Sequence, residues 1–234
     1  MVGFEKVMRS VATALALVVA TFCDAPAASA QIGTTVTIAV QPQPWQKRRS
    51  EQLAILKPSS PDQIQSKKLD ELMKDFEAHP TARTPMENMD ILGYAYGSKG
   101  IDKVLSLVVM NAALGWYDAL RFGSESARAE ITSNEGFFKR PLVLAGKQKI
   151  DEFLAFAKAH PDELKAAIEQ GISLAEKAKN SDDYDHKWPT AYGLERIICA
   201  QGGSCASLPS KPESEWPALW DQTIKSVTKY YFVR

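Results

Sequence analysis

Between Ile101 and Phe122 the chain carries apolar residues on nearly every side of a helix: Val104, Leu105, Leu107, Val108, Val109, Met110, Ala113 and Leu114. A helix without a continuous polar face cannot lie on a surface, so this segment belongs at the centre of a bundle. It is not a membrane span. Asn111 interrupts its apolar core, Asp102, Lys103 and Asp118 flank it, and the stretch from Val104 to Leu114 is shorter than a bilayer crossing requires.

The segments around it read as helices with one apolar side each. Ser60-Pro61-Asp62-Gln63 and Thr84-Pro85-Met86-Glu87 each combine an N-cap, a first-turn proline and a capping-box residue. The first opens a helix carrying Ile64, Leu69, Leu72, Met73 and Phe76 that stops at His79-Pro80. The second opens one carrying Met89, Leu92 and Tyr96, with a turn at Gly97–Gly100. Gly123-Ser124 ends the central helix, and Glu125–Thr132 reads as a short continuation. Asn134–Gly146 reads as a loop. Ile150, Phe153, Leu154 and Ala157 mark the next helix by their spacing, and Leu164, Ile168, Ile172 and Ala175 another, from Pro161 to about Lys179. A helix opening at Pro189 and running through Cys199, and a closing one with Trp216, Leu219, Trp220, Ile224, Val227 and Tyr231 inward, complete the set. The expectation is an all-α fold: one helical-bundle domain of about seven helices over residues 60–234, preceded by an extended, basic arm over 31–59. Within that arm Ile32–Val40 alternates Thr with Val and Ile in a strand-like pattern. Lys47-Arg48-Arg49 follows Gln41-Pro42-Gln43-Pro44, either as a solvated charge run or as a patch for an acidic surface.

Residues 1–30 read as a cleaved export signal. Lys6 and Arg9 form a basic start, Val11–Phe22 is apolar, and Ala28-Ser29-Ala30 is a small-residue cleavage site. Beyond it the two remaining cysteines, Cys199 and Cys205, are expected to pair in an oxidising compartment, closing a small loop worth ~2 kcal/mol. The chain has 28 basic and 28 acidic side chains, and this balance argues against nucleic acid or an anionic membrane as the main partner. No stable membrane insertion is expected.

The residues hold no familiar catalytic spacing, such as His-Glu-x-x-His or Gly-x-Ser-x-Gly. Of the three histidines, His79 and His160 precede prolines at helix junctions. His186 stands apart, in Ser181-Asp182-Asp183-Tyr184-Asp185-His186-Lys187-Trp188, a loop with three carboxylates and two rings. Two readings remain open. The loop is a metal site or an acid–base pair, or its acids favour the start of the helix at Pro189 and leave an acidic, aromatic-edged docking surface. The surface reading takes Asp182, Asp183, Tyr184, Asp185, His186 and Trp188 as contact residues, with Phe137 and Phe138 of the neighbouring loop beside them. It requires no catalytic residue, metal or cofactor.

Three stretches are similar to parts of the exported helical proteins that protect bacteria against type VI secretion effectors. They are Ala119-Leu120-Arg121-Phe122-Gly123-Ser124-Glu125, Gly136-Phe137-Phe138-Lys139-Arg140-Pro141 and Trp188-Pro189-Thr190-Ala191-Tyr192-Gly193-Leu194-Glu195. They cover about a third of the chain after the signal, and no inhibitory residue of such proteins maps onto them. The resemblance implies a periplasmic immunity protein whose partner is a secreted toxin. The alternatives are a metal-dependent hydrolase centred on residues 182–186 and a small-molecule carrier with a pocket between helices. The sequence leaves the oligomeric state open.

Overall fold

The structure is a computed structural model describing residues 43–57, 63–133, 137–200 and 210–231. Contacts divide the chain into two units, Met1–Thr37 and Ile38–Arg234, and every described residue belongs to the second. The export signal, the strand-like run, the Ser60–Asp62 cap and the Cys199–Cys205 pairing lie outside the described residues.

The described residues form an all-α bundle, as expected. In chain order the helices are α1 (Pro44–Leu56), α2 (Gln63–Ala78), α3 (Pro85–Lys99), α4 (Ile101–Phe122) and α5 (Glu125–Ser133), then α6 (Arg140–Ala145), α7 (Lys147–Ala159), α8 (Pro161–Ala178), α9 (Leu194–Ala200) and α10 (Trp216–Tyr231). Short 3-10 turns cover Phe137–Lys139, Trp188–Ala191 and Glu213–Glu215. The apolar α4 is the axis: α3, α8 and α10 all pack on it. Val104, Leu105, Val108, Val109, Ala112, Ala113 and Leu114 are buried among them. On α8, Gly171 lets the two backbones meet, since a Cβ there would stand 2.5 Å from the Ser106 carbonyl oxygen and 2.6 Å from Val109 Cβ. Asn111, the polar residue in the apolar run, is fully buried and satisfied. It donates to the Leu107 carbonyl at 2.9 Å and accepts from Asn88 Nδ2 at 2.8 Å.

Four expectations need correction. The basic part of the arm is not extended, because Pro44–Leu56 is helical. Proline stands at its first turn, and the backbone N–H of Gln43 donates to Gln46 Oε1 at 2.8 Å. The expected turn at Gly97–Gly100 is confined to Gly100, since α3 continues to Lys99. The expected loop after Asn134 contains a 3-10 turn and α6, whose Leu142, Leu144 and Ala145 settle against their neighbours and whose Leu144 meets Gly93 of α3. Finally, no single helix runs from Pro189 to Cys199. A 3-10 turn ends at Ala191, the chain extends at Tyr192 and reverses at Gly193 (φ +93°), and α9 starts at Leu194.

Two polar devices attach the outer helices. The capping box at Thr84 is present: Glu87 N donates to Thr84 Oγ1 at 3.4 Å, and the Thr84 backbone N–H donates to Glu87 Oε2 at 2.9 Å. The same Glu87 receives Arg48 of α1 in a fork, Nε to Oε1 at 2.6 Å and Nη2 to Oε2 at 2.9 Å. One turn on, the buried Asp90 takes Arg49 Nε at 2.8 Å on one oxygen and Arg140 Nε of α6 at 2.5 Å on the other. Arg48 and Arg49 of the basic run therefore do meet an acidic surface, and that surface belongs to their own α3, while Lys47 is exposed.

Candidate functional site

The acidic loop folds inward around one carboxylate, Asp118, which is fully buried near the end of α4. Three donors and one histidine nitrogen converge on it. Arg121 Nη2, one turn on, reaches Oδ1 at 2.7 Å; Tyr184 Oη reaches Oδ2 at 2.8 Å; Trp188 Nε1 reaches Oδ2 at 3.1 Å; and His186 Nδ1 lies 3.1 Å from Oδ1. A buried charge is tolerable only when paired and hydrogen-bonded, and this set meets both conditions. The Arg121 guanidinium is itself enclosed by the rings of Tyr117 (4.0 Å), Trp216 (4.6 Å) and Phe122 (4.9 Å).

His186 has no free nitrogen. Nδ1 faces Asp118, and Nε2 lies 2.6 Å from the Ser181 carbonyl oxygen. Burial works against the charged ring, but the Asp118 carboxylate and the Ser181 carbonyl outweigh it, against some opposition from Arg121. Its pKa lies above the ordinary 6.5. The Tyr184 hydroxyl is pushed well above its ordinary value by burial and then by Asp118. A histidine with one nitrogen on a buried carboxylate and the other capped by a backbone carbonyl has no nitrogen left to take a proton from a substrate.

The sequence-derived contact residues thus split. Tyr184 and Trp188 are buried, so they cannot form the edge of a docking surface. Their rings serve the core, with Trp188 edge-on to Trp45 at 6.1 Å and to Tyr192 at 5.9 Å. Phe137 is buried too, 6.0 Å from Trp188, in a space that exists only because residue 115 is glycine: a Cβ there would stand 2.1 Å from Phe137 Cζ. Phe138 is half-buried between Trp116 and Tyr230, and His186 is half-buried. Asp182, Asp183 and Asp185 remain exposed. Asp183 accepts from Thr81 Oγ1 at 2.6 Å, and Asp185 accepts from the Lys187 backbone N–H at 2.9 Å, closing a tight turn. The expected role of these acids at a helix start changes accordingly, because the segment that begins at Trp188 is only a short 3-10 turn. Among the described residues no three His, Cys, Asp or Glu side chains converge as a metal site would require.

Sequence reasoning passed over Asp118 as a flank of the central helix. The available signal was the pair Asp118 and Arg121, an acid and a base one turn apart in the second half of a largely apolar helix. In such a setting charges must be paired. The three stretches that carry the resemblance also meet here. Phe137 packs on Trp188, the Gly123 backbone faces the Pro189 ring, and Glu195 accepts from Ser124 and Ser126 at 2.7 Å each. Those hydroxyls hold the Glu195 carboxyl below its usual range. Much of what the stretches share is therefore internal framework around Trp188.

No protein-family model matches the chain, and neither a curated protein nor a solved structure matches it. Among the described residues no helix is long and apolar enough to cross a membrane.

Proposed function

We propose that the protein is a non-catalytic exported binding protein, an immunity protein that holds a toxic antibacterial effector inactive in the periplasm. The observation that carries this reading is the inward use of the loop's chemistry. His186, Tyr184 and Trp188 are spent on Asp118, while the loop turns Asp182, Asp183 and Asp185 outward from a fixed base. Carboxylates on a rigid platform suit recognition of a basic surface, where they speed encounter and fix register. The resemblance to type VI immunity proteins supplies the class of partner.

The test has two arms. Cells lacking the protein are expected to die when a neighbour delivers the cognate effector to their periplasm, and to survive when the protein is restored. Survival of the deletion strain against every effector delivered would refute the reading. With the purified pair, neutralising Asp182, Asp183 and Asp185 together to Asn is expected to slow association by about tenfold or more at low salt and to flatten its salt dependence. A carrier role would instead require a ligand between helices. The hollow along α10, lined by Asp221, Gln222, Lys225 and Lys229, lies on one exposed helix face.

A further inference from the structure

His186 sits between two partners that ask opposite things of the same atom. Nδ1 is 3.1 Å from Asp118 Oδ1, which only accepts, and 3.3 Å from Arg121 Nη2, which only donates. Nε2 faces the Ser181 carbonyl at 2.6 Å in either case, so it keeps its proton. A second proton on Nδ1 turns the ring toward Asp118 and ties the loop to the carboxylate of α4. Without that proton, the Nδ1 lone pair faces Asp118 oxygen and can only accept from Arg121. Arg121 already donates to Asp118 at 2.7 Å and reaches the Lys179 carbonyl at 3.4 Å.

We propose that the His186 proton is a latch on the 181–188 loop: protonated, the ring pins the loop to α4 through Asp118; neutral, it shifts to Arg121, and the loop, left with Tyr184 and Trp188 on Asp118, loosens around His186. The groups that face the ring are few. From α4 they are Asp118 and Arg121. From the loop itself they are the Ser181 carbonyl and Tyr184, whose ring centroid is 4.2 Å away and whose hydroxyl is held by Asp118. From the end of α8 comes only the Lys179 carbonyl, through Arg121. Of the loop's exposed acids, Asp183 is engaged with Thr81 and Asp185 with its own turn. Asp118 is the nearer partner and carries a full charge in a buried site, so the protonated arrangement persists above the pH at which a free imidazole loses its proton. The sign follows: the latch contributes its full stability below the unfolded value of about 6.5 and loses it as pH rises through the higher folded value. The acids Asp182, Asp183 and Asp185 ride on this loop, so their presentation tightens as the surroundings acidify.

The test is an NMR titration of the histidine rings in the folded chain from pH 5 to 9, with His186 assigned from His186→Gln. The three histidines make the assignment direct. The His186 midpoint is expected above 6.5, with the protection of amides 181–188 (their exchange relative to the intrinsic rate at each pH) falling as pH passes it. In His186→Gln, which cannot take up the proton, that pH-dependent fall in protection is expected to vanish. Asp118→Asn is expected to lower the midpoint from the wild-type value, because burial and Arg121 then face only the Ser181 carbonyl in the ring's favour. If that variant does not fold, the wild-type midpoint and the His186→Gln exchange profile still decide. A wild-type midpoint at or below 6.5, or an unchanged exchange profile in His186→Gln, overturns the proposal. Neither readout depends on a toxin, so its failure leaves the immunity reading standing, and the reverse also holds.

Discussion

Tyr184 and Asp185 are adjacent in the chain and opposite in consequence. The Tyr184 hydroxyl donates to a buried carboxylate, whereas the Asp185 side chain is exposed and serves only its own turn. Tyr184→Phe keeps the ring and removes one donor to a buried charge, which is expected to cost about 1.5–3 kcal/mol. Asp185→Asn is expected to change stability by less than about 0.5 kcal/mol. Urea denaturation of the two variants beside wild type checks both figures. Equal effects would mean that the loop does not fold onto Asp118. The alternation of roles explains what the loop sequence can convey. Its composition advertises acids and rings, and the identity of the buried partner, Asp118, lies 66 residues from Tyr184. No local pattern links the two.

At the scale of elements, legibility followed apolar periodicity. Helices α2, α3, α7, α8 and α10 each bury an apolar face against a neighbour and are legible from spacing or caps, and α4 is legible from being apolar on nearly every side. Helix α1 was not, because the side it turns inward is Trp45, Arg48, Arg49, Gln52 and Leu56, mostly polar residues whose partners are also polar. Short α6 follows its tertiary surroundings, with Leu144 seated over Gly93 and Arg140 on Asp90. A six-residue helix has too few turns to show a period. The attachment of α1 is open to measurement. Asp90→Asn removes the charge shared by Arg49 and Arg140, and breaking such a buried group of charges is expected to cost about 3–5 kcal/mol. Much of that loss should appear locally, as faster trypsin cleavage at Lys47, Arg48 and Arg49. Cleavage at wild-type rates would show that α1 is held by Glu87 and its apolar contacts without Asp90.

For the whole molecule, the buried phenols define a limit at high pH. Burial, with Glu152 nearby, pushes Tyr96 up to about 12, and Tyr184 and Tyr231 are also raised, again chiefly by burial. An unfolded chain releases these protons near pH 10, while the folded one retains them. The phenols' contribution to stability is therefore expected to be level up to about pH 10 and to fall beyond it. Thermal melts between pH 8 and 12 test this, and phenolate absorbance appearing together with unfolding, rather than before it, would mark these residues as the cause. The fold class followed from the central apolar helix; the inner polar network did not, because it joins residues far apart in the chain. That separation bears on how the molecule is made. Arg49 bonds the Tyr192 hydroxyl across 143 positions, and Trp45 stacks on the same ring. Synthesis delivers the chain from its beginning, so α1 can settle on the acids of α3 early, while the ring of Tyr192 that covers Trp45 comes much later. Until that long loop closes Trp45 lacks this cover, and any escort that shields it in the interval would govern how much of the protein reaches its final form.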